Sequence, residues 1–203
     1  RVRQVGMAVP DAYTHVTAAA FAGWRFSPSV WRVYCNAHTL IYHGIDDYGY
    51  GHRPPGPDEE PARRWLAYGS SITMGGQQYE NYVNMAAATL GVDAINLGMA
   101  GSCHIEKEVS DYIASRDDWD FATLELGVNM LGGFEPDEFE RRSTYLVDSL
   151  LTNHPSKPVA LITIITSKLQ HPAEQSMWTD RAAAYDAILA KLQSTKNNGN
   201  LHL

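Results

Sequence analysis

The sequence predicts an α/β protein in which a parallel sheet carries helices on both faces, behind a small β-rich N-terminal piece. From Trp65 onward, short apolar runs alternate with helical patterns, and the connections between them are short. The run Val159–Ile165 is almost continuously apolar, as expected for a central parallel strand that is covered on both faces. These two observations predict repeated strand–helix units.

Residues 1–47 have the character of a small β-rich piece. Trp31, Val33 and Cys35 alternate with more polar residues, which is the periodicity of a strand, and Leu40–His43 gives a second short strand. A lone hairpin is only marginally stable. We therefore expect this piece to pack on the rest of the protein or to form part of a larger sandwich.

Residues 48–63 are rich in proline and glycine, which at this density prevent both helix and strand. This composition predicts a linker or an extended strap, followed by the α/β domain over residues 64–203. The predicted strands of that domain are Trp65–Tyr68, Asp93–Leu97, Phe121–Leu126, Val159–Ile165 and Asn200–Leu203. The predicted helices are Tyr79–Leu90, which Gly91 ends, Ile105–Ala114, Pro136–Leu151 and Trp178–Lys196.

Composition excludes several classes of partner. The 203 residues have a net charge of −7 and no basic run, which disfavours nucleic acid and anionic membrane surfaces. No apolar stretch approaches the roughly 18 residues of a membrane span. The two cysteines form no disulfide framework and no Cys-x-x-Cys metal spacing. A cytoplasmic and a secreted location both fit this composition.

A serine-containing turn follows the first predicted strand. Gly69, Ser70 and Ser71 come directly after Trp65–Tyr68 and before a helical pattern. In open α/β sheets, ligands bind at the carboxyl ends of the strands. A serine at this point is a candidate nucleophile once a base removes its proton. The same residues also suit a plain turn in which Ser70 or Ser71 caps the next helix.

Two further strand ends carry related features. Asn96–Gly101 reads Asn-x-Gly-x-x-Gly after the second strand, and Gly127–Asn129 reads Gly-x-Asn after the third. Glycine lets the backbone approach a ligand closely, and an asparagine side chain offers two N–H donors. The alternatives are a tight turn at Gly101 and a helix cap at Asn129.

Taken in order, Gly-x-Ser, Asn-x-Gly-x-x-Gly and Gly-x-Asn resemble the first three blocks of the SGNH hydrolases, also called GDSL-type esterases and lipases. The match covers Trp65–Asn129. The family's Gly-Asp-Ser is Gly69-Ser70-Ser71 here, a form that resembles a branch with a β-rich domain in front. The resemblance implies a flavodoxin-like sheet and a serine esterase acting on short acyl esters, including acetylated sugars, without a metal or organic cofactor.

The resemblance also implies roles for individual residues. Ser71 is the expected nucleophile, and its backbone N–H, Gly101 and Asn129 are the expected oxyanion donors. Apart from the resemblance, Ser70 and His104 are expected to contact substrate, with orientation of a loop as the alternative for His104, which follows the Gly101 turn. Asn96 is expected to support the turn that leads to Gly101. An acyltransferase would use the same acyl-enzyme, and a non-catalytic binding module is a further alternative. Phosphate binding is disfavoured, since the sequence has neither Gly-x-Gly-x-x-Gly nor Gly-Lys-Ser/Thr.

The catalytic base is the unmatched part of the pattern. The family takes a histidine, with an aspartate three residues before it, from a loop after the fifth strand, and no Asp-x-x-His occurs in these 203 residues. The expectation is that the sequence stops short of that block and that this chain is a poor enzyme. His171, His202 and His104 are the possible substitutes; we expect His202 to be packed in a strand and His104 to lie near the pocket.

Overall fold

The computed structural model describes residues 30, 41–44, 46–49, 51–75, 81–165, 177–196 and 198–203. Five strands form one sheet: β1 Arg64–Gly69, β2 Asp93–Gly98, β3 Phe121–Glu125, β4 Val159–Ile162 and β5 Leu201–His202. Their order across the sheet is β2-β1-β3-β4-β5, and every neighbouring pair is parallel. This is the flavodoxin-like order, so the predicted fold class is confirmed.

The described helices follow the strands in alternation: α1 Ser71–Met74, α2 Tyr82–Leu90, α3 Lys107–Ser115, α4 Pro136–Asn153 and α5 Met177–Thr195. Gly91 ends α2 in the left-handed conformation, as predicted. Pro136 occupies the first turn of α4 together with two acidic residues, which suits the positive end of the helix dipole.

Apolar side chains cover both faces of the sheet. Within β1, Trp65 and Ala67 pack with residues of α2, whereas Leu66 and Tyr68 belong to the larger core cluster on the other face. The larger cluster includes buried residues of α3, α4 and α5, among them Phe139 and Tyr185, whose rings stack at 3.9 Å. A core of this kind holds the strand ends at a fixed edge. None of the described helices is long and apolar enough to span a bilayer.

Several predicted boundaries were wrong in detail. Helix α2 begins at Tyr82 behind the cap Asn81, not at Tyr79. Helix α3 begins at Lys107, because Ile105 has a φ of +56°, a left-handed value that no α-helix accommodates. Strand β4 ends at Ile162, three residues before the end of its apolar run. The one-turn helix α1 was not predicted.

The predicted strand around residues 31–36 lies outside the described residues. The second predicted strand, Leu40–His43, is wrong for residues 41–43, which have irregular backbone, with the Ile41 and Tyr42 side chains exposed. Residues 51–63 contain neither helix nor strand, and Arg53 pairs there with Glu59 at 2.7 Å. The division into an N-terminal piece, a linker and an α/β domain stays a prediction.

Candidate active site

Three neighbouring strands bring the predicted site residues to one edge of the sheet. Strand β1 lies between β2 and β3, and all three run in the same direction. Ser71 follows β1, Gly101 follows β2 and Asn129 follows β3, so all three lie beyond the carboxyl ends of the strands. Between β1 and β3 the strand order changes direction, which is where open α/β sheets form ligand-binding crevices.

Ser71 is the first residue of α1 and is exposed. The helix makes a single turn, which Gly75 closes with a φ of +80° and a hydrogen bond from its N–H to the Ser71 carbonyl at 2.9 Å. Within the described part of the chain, the Ser71 N–H and hydroxyl have no intramolecular hydrogen bond. We refer to residues 69–75 as the Ser71 turn.

Ser70 is buried beneath this turn, with 1% of its surface exposed. Its hydroxyl donates to Glu125 Oε2 at 2.6 Å and accepts the N–H of Ile72 at 3.1 Å. Ser70 is therefore the cap of α1, which is the structural alternative considered from the sequence. The Ser70 hydroxyl is buried and already both donates and accepts a hydrogen bond, which argues against the predicted contact between Ser70 and substrate.

Glu125 anchors the Ser71 turn and is a residue that the sequence analysis missed. It is the last residue of β3, 1% exposed, and its Oε2 atom accepts hydrogen bonds from the Ser70 N–H at 2.7 Å, the Ser70 hydroxyl and the Thr73 hydroxyl at 3.1 Å. Because Thr73 donates to Glu125, Tyr82 is the donor in its 2.9 Å bond with Thr73. The signal in the sequence that could have revealed Glu125 is the presence of a glutamate within the apolar run of β3.

Gly69 makes the approach of this carboxyl group possible. A Cβ atom at position 69 would lie 2.6 Å from Glu125 Oε2 and 2.3 Å from Thr73 Oγ1, closer than real Cβ contacts. Only glycine therefore fits where β1 meets the turn.

The Gly101 loop, residues 99–106, has an open tip. Gly101 has a φ of +68°, and no heavy atom lies within 4 Å of the point where a Cβ would stand. The backbone is thus accessible to a ligand, and the Gly101 N–H donates to no described acceptor. At its base, Asn96 donates to the Thr73 carbonyl at 2.8 Å and accepts the Gly98 N–H at 2.9 Å. Asn96 therefore links the end of β2 to the Ser71 turn.

Asn129 lies in the loop of residues 127–135, here named the Asn129 loop. Its Oδ1 accepts the Cys103 N–H at 3.1 Å, so this hydrogen bond uses neither of the two N–H donors of the side-chain amide. Glu135 is the cap of α4, so Asn129 does not have the helix-capping role considered as its alternative. The bond to Cys103 also joins the Asn129 loop to the Gly101 loop.

No described histidine is hydrogen bonded to the Ser71 hydroxyl. The ring of His104 is half-buried, with its centroid 5.1 Å from that of Phe134 and its Nδ1 3.5 Å from Glu106 Oε1. His202 is exposed, so the expectation that it packs in the core was wrong; only its neighbour Leu201 is buried in the short β5. His171 lies outside the described residues.

Other reactive groups near the site are inactive or absent. Cys103 is buried, and burial raises the pKa of its thiol to about 12, so the thiol stays protonated near neutral pH. Over the ranges that the structure describes, no three histidine, cysteine or acidic side chains are grouped as metal ligands. Ser71 is the exposed hydroxyl that directly follows β1, the middle one of the three strands β2, β1 and β3.

Comparison with known families gives one match over most of the chain. The sequence profile of the GDSL-like lipase/acylhydrolase family matches residues 62–203. A comparison with curated protein sequences gives no significant match.

Solved structures show the same fold. A GDSL-like lipase from Bacteroides ovatus ATCC 8483 is 26% identical with a TM-score of 0.58. A salicylyl-acyltransferase from a tetracycline biosynthetic pathway is 20% identical with a TM-score of 0.59. For both, the match covers 69% of this chain and 41% of the other. A carbohydrate esterase family 2 enzyme with a carbohydrate binding domain, from Corynascus thermopiles (Myceliophthora fergusii), is 17% identical with a TM-score of 0.56, covering 74% and 57%.

Proposed function

The chain belongs to the GDSL-like lipase/acylhydrolase family, and from this premise we propose that it cleaves acyl esters through an acyl-enzyme on Ser71. The observation that carries the proposal is the common edge of β2, β1 and β3, where the exposed Ser71 follows the middle strand and Gly101 and Asn129 follow the strands on either side. The chain spans only 41% of the length of each of the first two structural relatives. The activity of the whole protein is therefore proposed and is not taken over from those relatives.

In the proposed reaction, the Ser71 hydroxyl attacks the carbonyl carbon of the ester while a base takes its proton. The carbonyl oxygen becomes negatively charged, and N–H groups that are already oriented lower the barrier. The backbone N–H groups of Ser71 and Gly101 suit this role, since neither is committed to a described acceptor. The Asn129 amide supplies a third donor, and its bond to Cys103 fixes the orientation of the side chain. The C–O bond to the alcohol then breaks, and the alcohol leaves with the proton that the base had taken, so that the acyl-enzyme remains. Water hydrolyses the acyl-enzyme, which releases the carboxylic acid and restores the Ser71 hydroxyl.

The base is a separate question, because general-base assistance is typically worth 10²–10⁴-fold. Hydrolysis of p-nitrophenyl acetate across pH, in wild type, His104→Ala and His171→Ala, tests two of the three possible substitutes. A rate that titrates near neutral pH and is lost in one variant would identify that histidine. A rate that is low, flat and equal in all three would exclude both as the base.

Short acyl esters, including acetylated carbohydrates, are the proposed substrates. The fold is shared with a carbohydrate esterase family 2 enzyme, and a net charge of −7 suits a neutral ester better than a polyanionic one. Hydrolysis rates on acetyl, butyryl and octanoyl esters, and on acetylated xylan fragments, would rank these classes. Faster turnover of the octanoyl ester than of every acetyl ester would contradict the proposal.

The nucleophile is tested directly by labelling with a fluorophosphonate and locating the adduct by peptide mass. We expect the adduct on Ser71 and none in Ser71→Ala, whose melting temperature should stay near that of wild type because the hydroxyl makes no described hydrogen bond. Ser143→Ala is the matched control, since its buried hydroxyl bonds only within α4. Esterase turnover that survives in Ser71→Ala would reject Ser71 as the nucleophile.

Acyl transfer to another alcohol is the second candidate, because it shares the acyl-enzyme and one structural relative is an acyltransferase. Adding glycerol or a sugar alcohol as acceptor, and quantifying ester against free acid, separates the two activities. A non-catalytic binding module fits the absence of a described histidine at Ser71. Binding of acetate without labelling or turnover would favour that alternative.

A further inference from the structure

We propose that Arg142 is a positioning residue that holds the Gly101 loop in the conformation required for oxyanion binding; the catalytic part of this proposal rests on the proposed function. Arg142 lies on α4, and its described hydrogen bonds reach neither Ser71 nor Gly101. Its Nη1 donates to the main-chain carbonyl of His104 at 2.8 Å, three residues after Gly101. The helix is thereby bonded to the backbone of the loop.

The surroundings of Arg142 fix its side chain. Its Nε donates to Glu138 Oε1 at 2.6 Å, and its guanidinium carbon lies 4.9 Å from the centre of the Phe134 ring. Phe134 in turn packs against the His104 ring. With 22% of its side chain exposed, Arg142 is partly shielded, so its planar group is held from two sides and directed at the loop.

The Gly101 loop needs such a hold because its backbone is strained. Ile105 has a φ of +56°, which is unfavourable for a β-branched side chain, yet it is almost fully buried. Strained backbone persists only where the surrounding contacts over-determine it. The carbonyl that Arg142 binds belongs to His104, the residue directly before Ile105.

Arg142 also couples the two loops that carry the proposed oxyanion donors. Phe134 belongs to the Asn129 loop and His104 to the Gly101 loop, and Arg142 contacts both. The Cys103–Asn129 hydrogen bond joins the same loops nearer the site. In this arrangement His104 contributes its main-chain carbonyl to the loop, a role that does not depend on contact between its ring and substrate.

The neighbouring Arg141 provides a matched control. Both arginines donate to Glu138, but among the described contacts only Arg142 reaches the Gly101 loop, and Arg141 is 68% exposed. We would compare Arg142→Met, Arg142→Lys and Arg141→Met for kcat, KM and melting temperature. Hydrogen–deuterium exchange of a peptide covering residues 99–106 gives a readout that does not depend on activity.

In Arg142→Met we expect exchange in the loop to be faster by roughly tenfold, and kcat to fall by about 10- to 100-fold with little change in KM. Added guanidinium should restore part of the rate, and Arg142→Lys should be intermediate. Arg141→Met should match wild type in all measurements. His104→Ala keeps the carbonyl and should lose less activity than Arg142→Met.

Unchanged exchange in Arg142→Met would overturn the proposal, whatever the activity. So would an equal loss of rate in Arg142→Met and Arg141→Met, or a loss that only follows the melting temperature. If wild type shows no esterase activity but Arg142→Met still loosens the loop, the proposed function fails and the positioning role of Arg142 stands.

Discussion

The Ser71 turn and the Gly101 loop lie at the ends of neighbouring strands, but they are fixed in opposite ways. The Ser71 turn is held from below by the buried carboxyl group of Glu125, which accepts three hydrogen bonds. The Gly101 loop has an open tip and a strained residue, Ile105, and is held from the side by a partly exposed arginine. The first anchor depends on burial, and the second on surface contacts.

This difference separates two kinds of sensitivity. A buried carboxyl group with several donors is costly to disturb, because each donor left unpaired loses its acceptor in a dry environment. Changes to the buried groups that anchor the Ser71 turn should therefore lower stability together with activity. Loss of the Asn129 amide, a proposed oxyanion donor, should instead lower the rate and leave the free energy of unfolding nearly unaltered, since that side chain is only half-buried.

After Ser71→Ala itself, the largest effect is expected from Asn129→Ala. Removing one oxyanion donor typically lowers kcat by 10²–10³-fold, or about 2.7–4 kcal/mol, with a smaller effect on KM. The half-buried side chain makes one described hydrogen bond, so urea unfolding should shift little. Asn153→Ala is the control, since the amide of Asn153 donates to the main-chain carbonyl of Ala114, which belongs to neither site loop. An equal loss of rate in both variants, or a large loss of stability in Asn129→Ala, would break the comparison.

Glu125→Gln is expected to lower stability clearly and the rate only modestly, the reverse of Asn129→Ala. The amide keeps the shape of the side chain but weakens the bonds from Ser70 and Thr73, and we expect a loss of about 1–3 kcal/mol in the free energy of unfolding. The rate should fall by roughly tenfold as the Ser71 turn loosens. Glu108→Gln, on an exposed face of α3, is the control. An unchanged unfolding midpoint would show that the buried anchor is not what stabilises the turn.

Two glycine substitutions sharpen the contrast further. Gly69→Ala places a methyl group against Thr73 and Glu125 and should cost about 1–3 kcal/mol by overpacking. Gly101→Ala meets open space and should cost only about 1 kcal/mol, from its left-handed backbone. Because the N–H at position 101 is retained, its kcat should change by less than roughly tenfold. Urea unfolding and ester hydrolysis measured on both variants test whether Gly69→Ala is the more destabilising of the two.

The smallest effect is expected at Glu138, the surface carboxylate that orients the Arg142 side chain. Hydrogen bonds from Arg141 and then Arg142 lower the pKa of Glu138 from its usual 4.5 to about 2. A lowered folded-state pKa means that this contribution to stability is present above pH 4.5 and disappears as the pH falls toward 2. The melting temperature of Glu138→Gln should lie below that of wild type by no more than about 4 °C above pH 5, and should converge with it near pH 2. A difference that grows on acidification would have the wrong sign.

The sequence predicted the sheet, its parallel direction and the three strand ends because each depends on local patterns. Apolar runs mark β1 to β3, and Gly91 and Pro136 mark helix ends through their backbone preferences. The start of α3 was missed because the left-handed backbone of Ile105 is imposed by tertiary packing, against its local preference. The same limit applied to α1, a single turn too short to show periodicity.

Within the candidate site, residue types predicted which groups would gather, but not which would be buried. Ser70 and Ser71 are the same residue type and only the Gly-x-Ser resemblance separated them, yet one lies beneath the turn and the other is exposed on it. That assignment depends on Glu125, whose partner residues are far away in the chain. Arg142 was overlooked because an arginine on an amphipathic helix is ordinary until the loop that it binds is known.

The anchor on Glu125 has a consequence for the order in which the site forms during synthesis. Ser70 and Glu125 are separated by 55 positions, against 26 for Cys103 and Asn129. The longer loop costs more entropy to close, and its acceptor leaves the ribosome after the whole of β2 and α3. We therefore expect the Ser71 turn to acquire its final shape only when β3 joins β1, so that an emerging chain that contains Ser71 but not yet Glu125 would lack the ordered position of the proposed nucleophile.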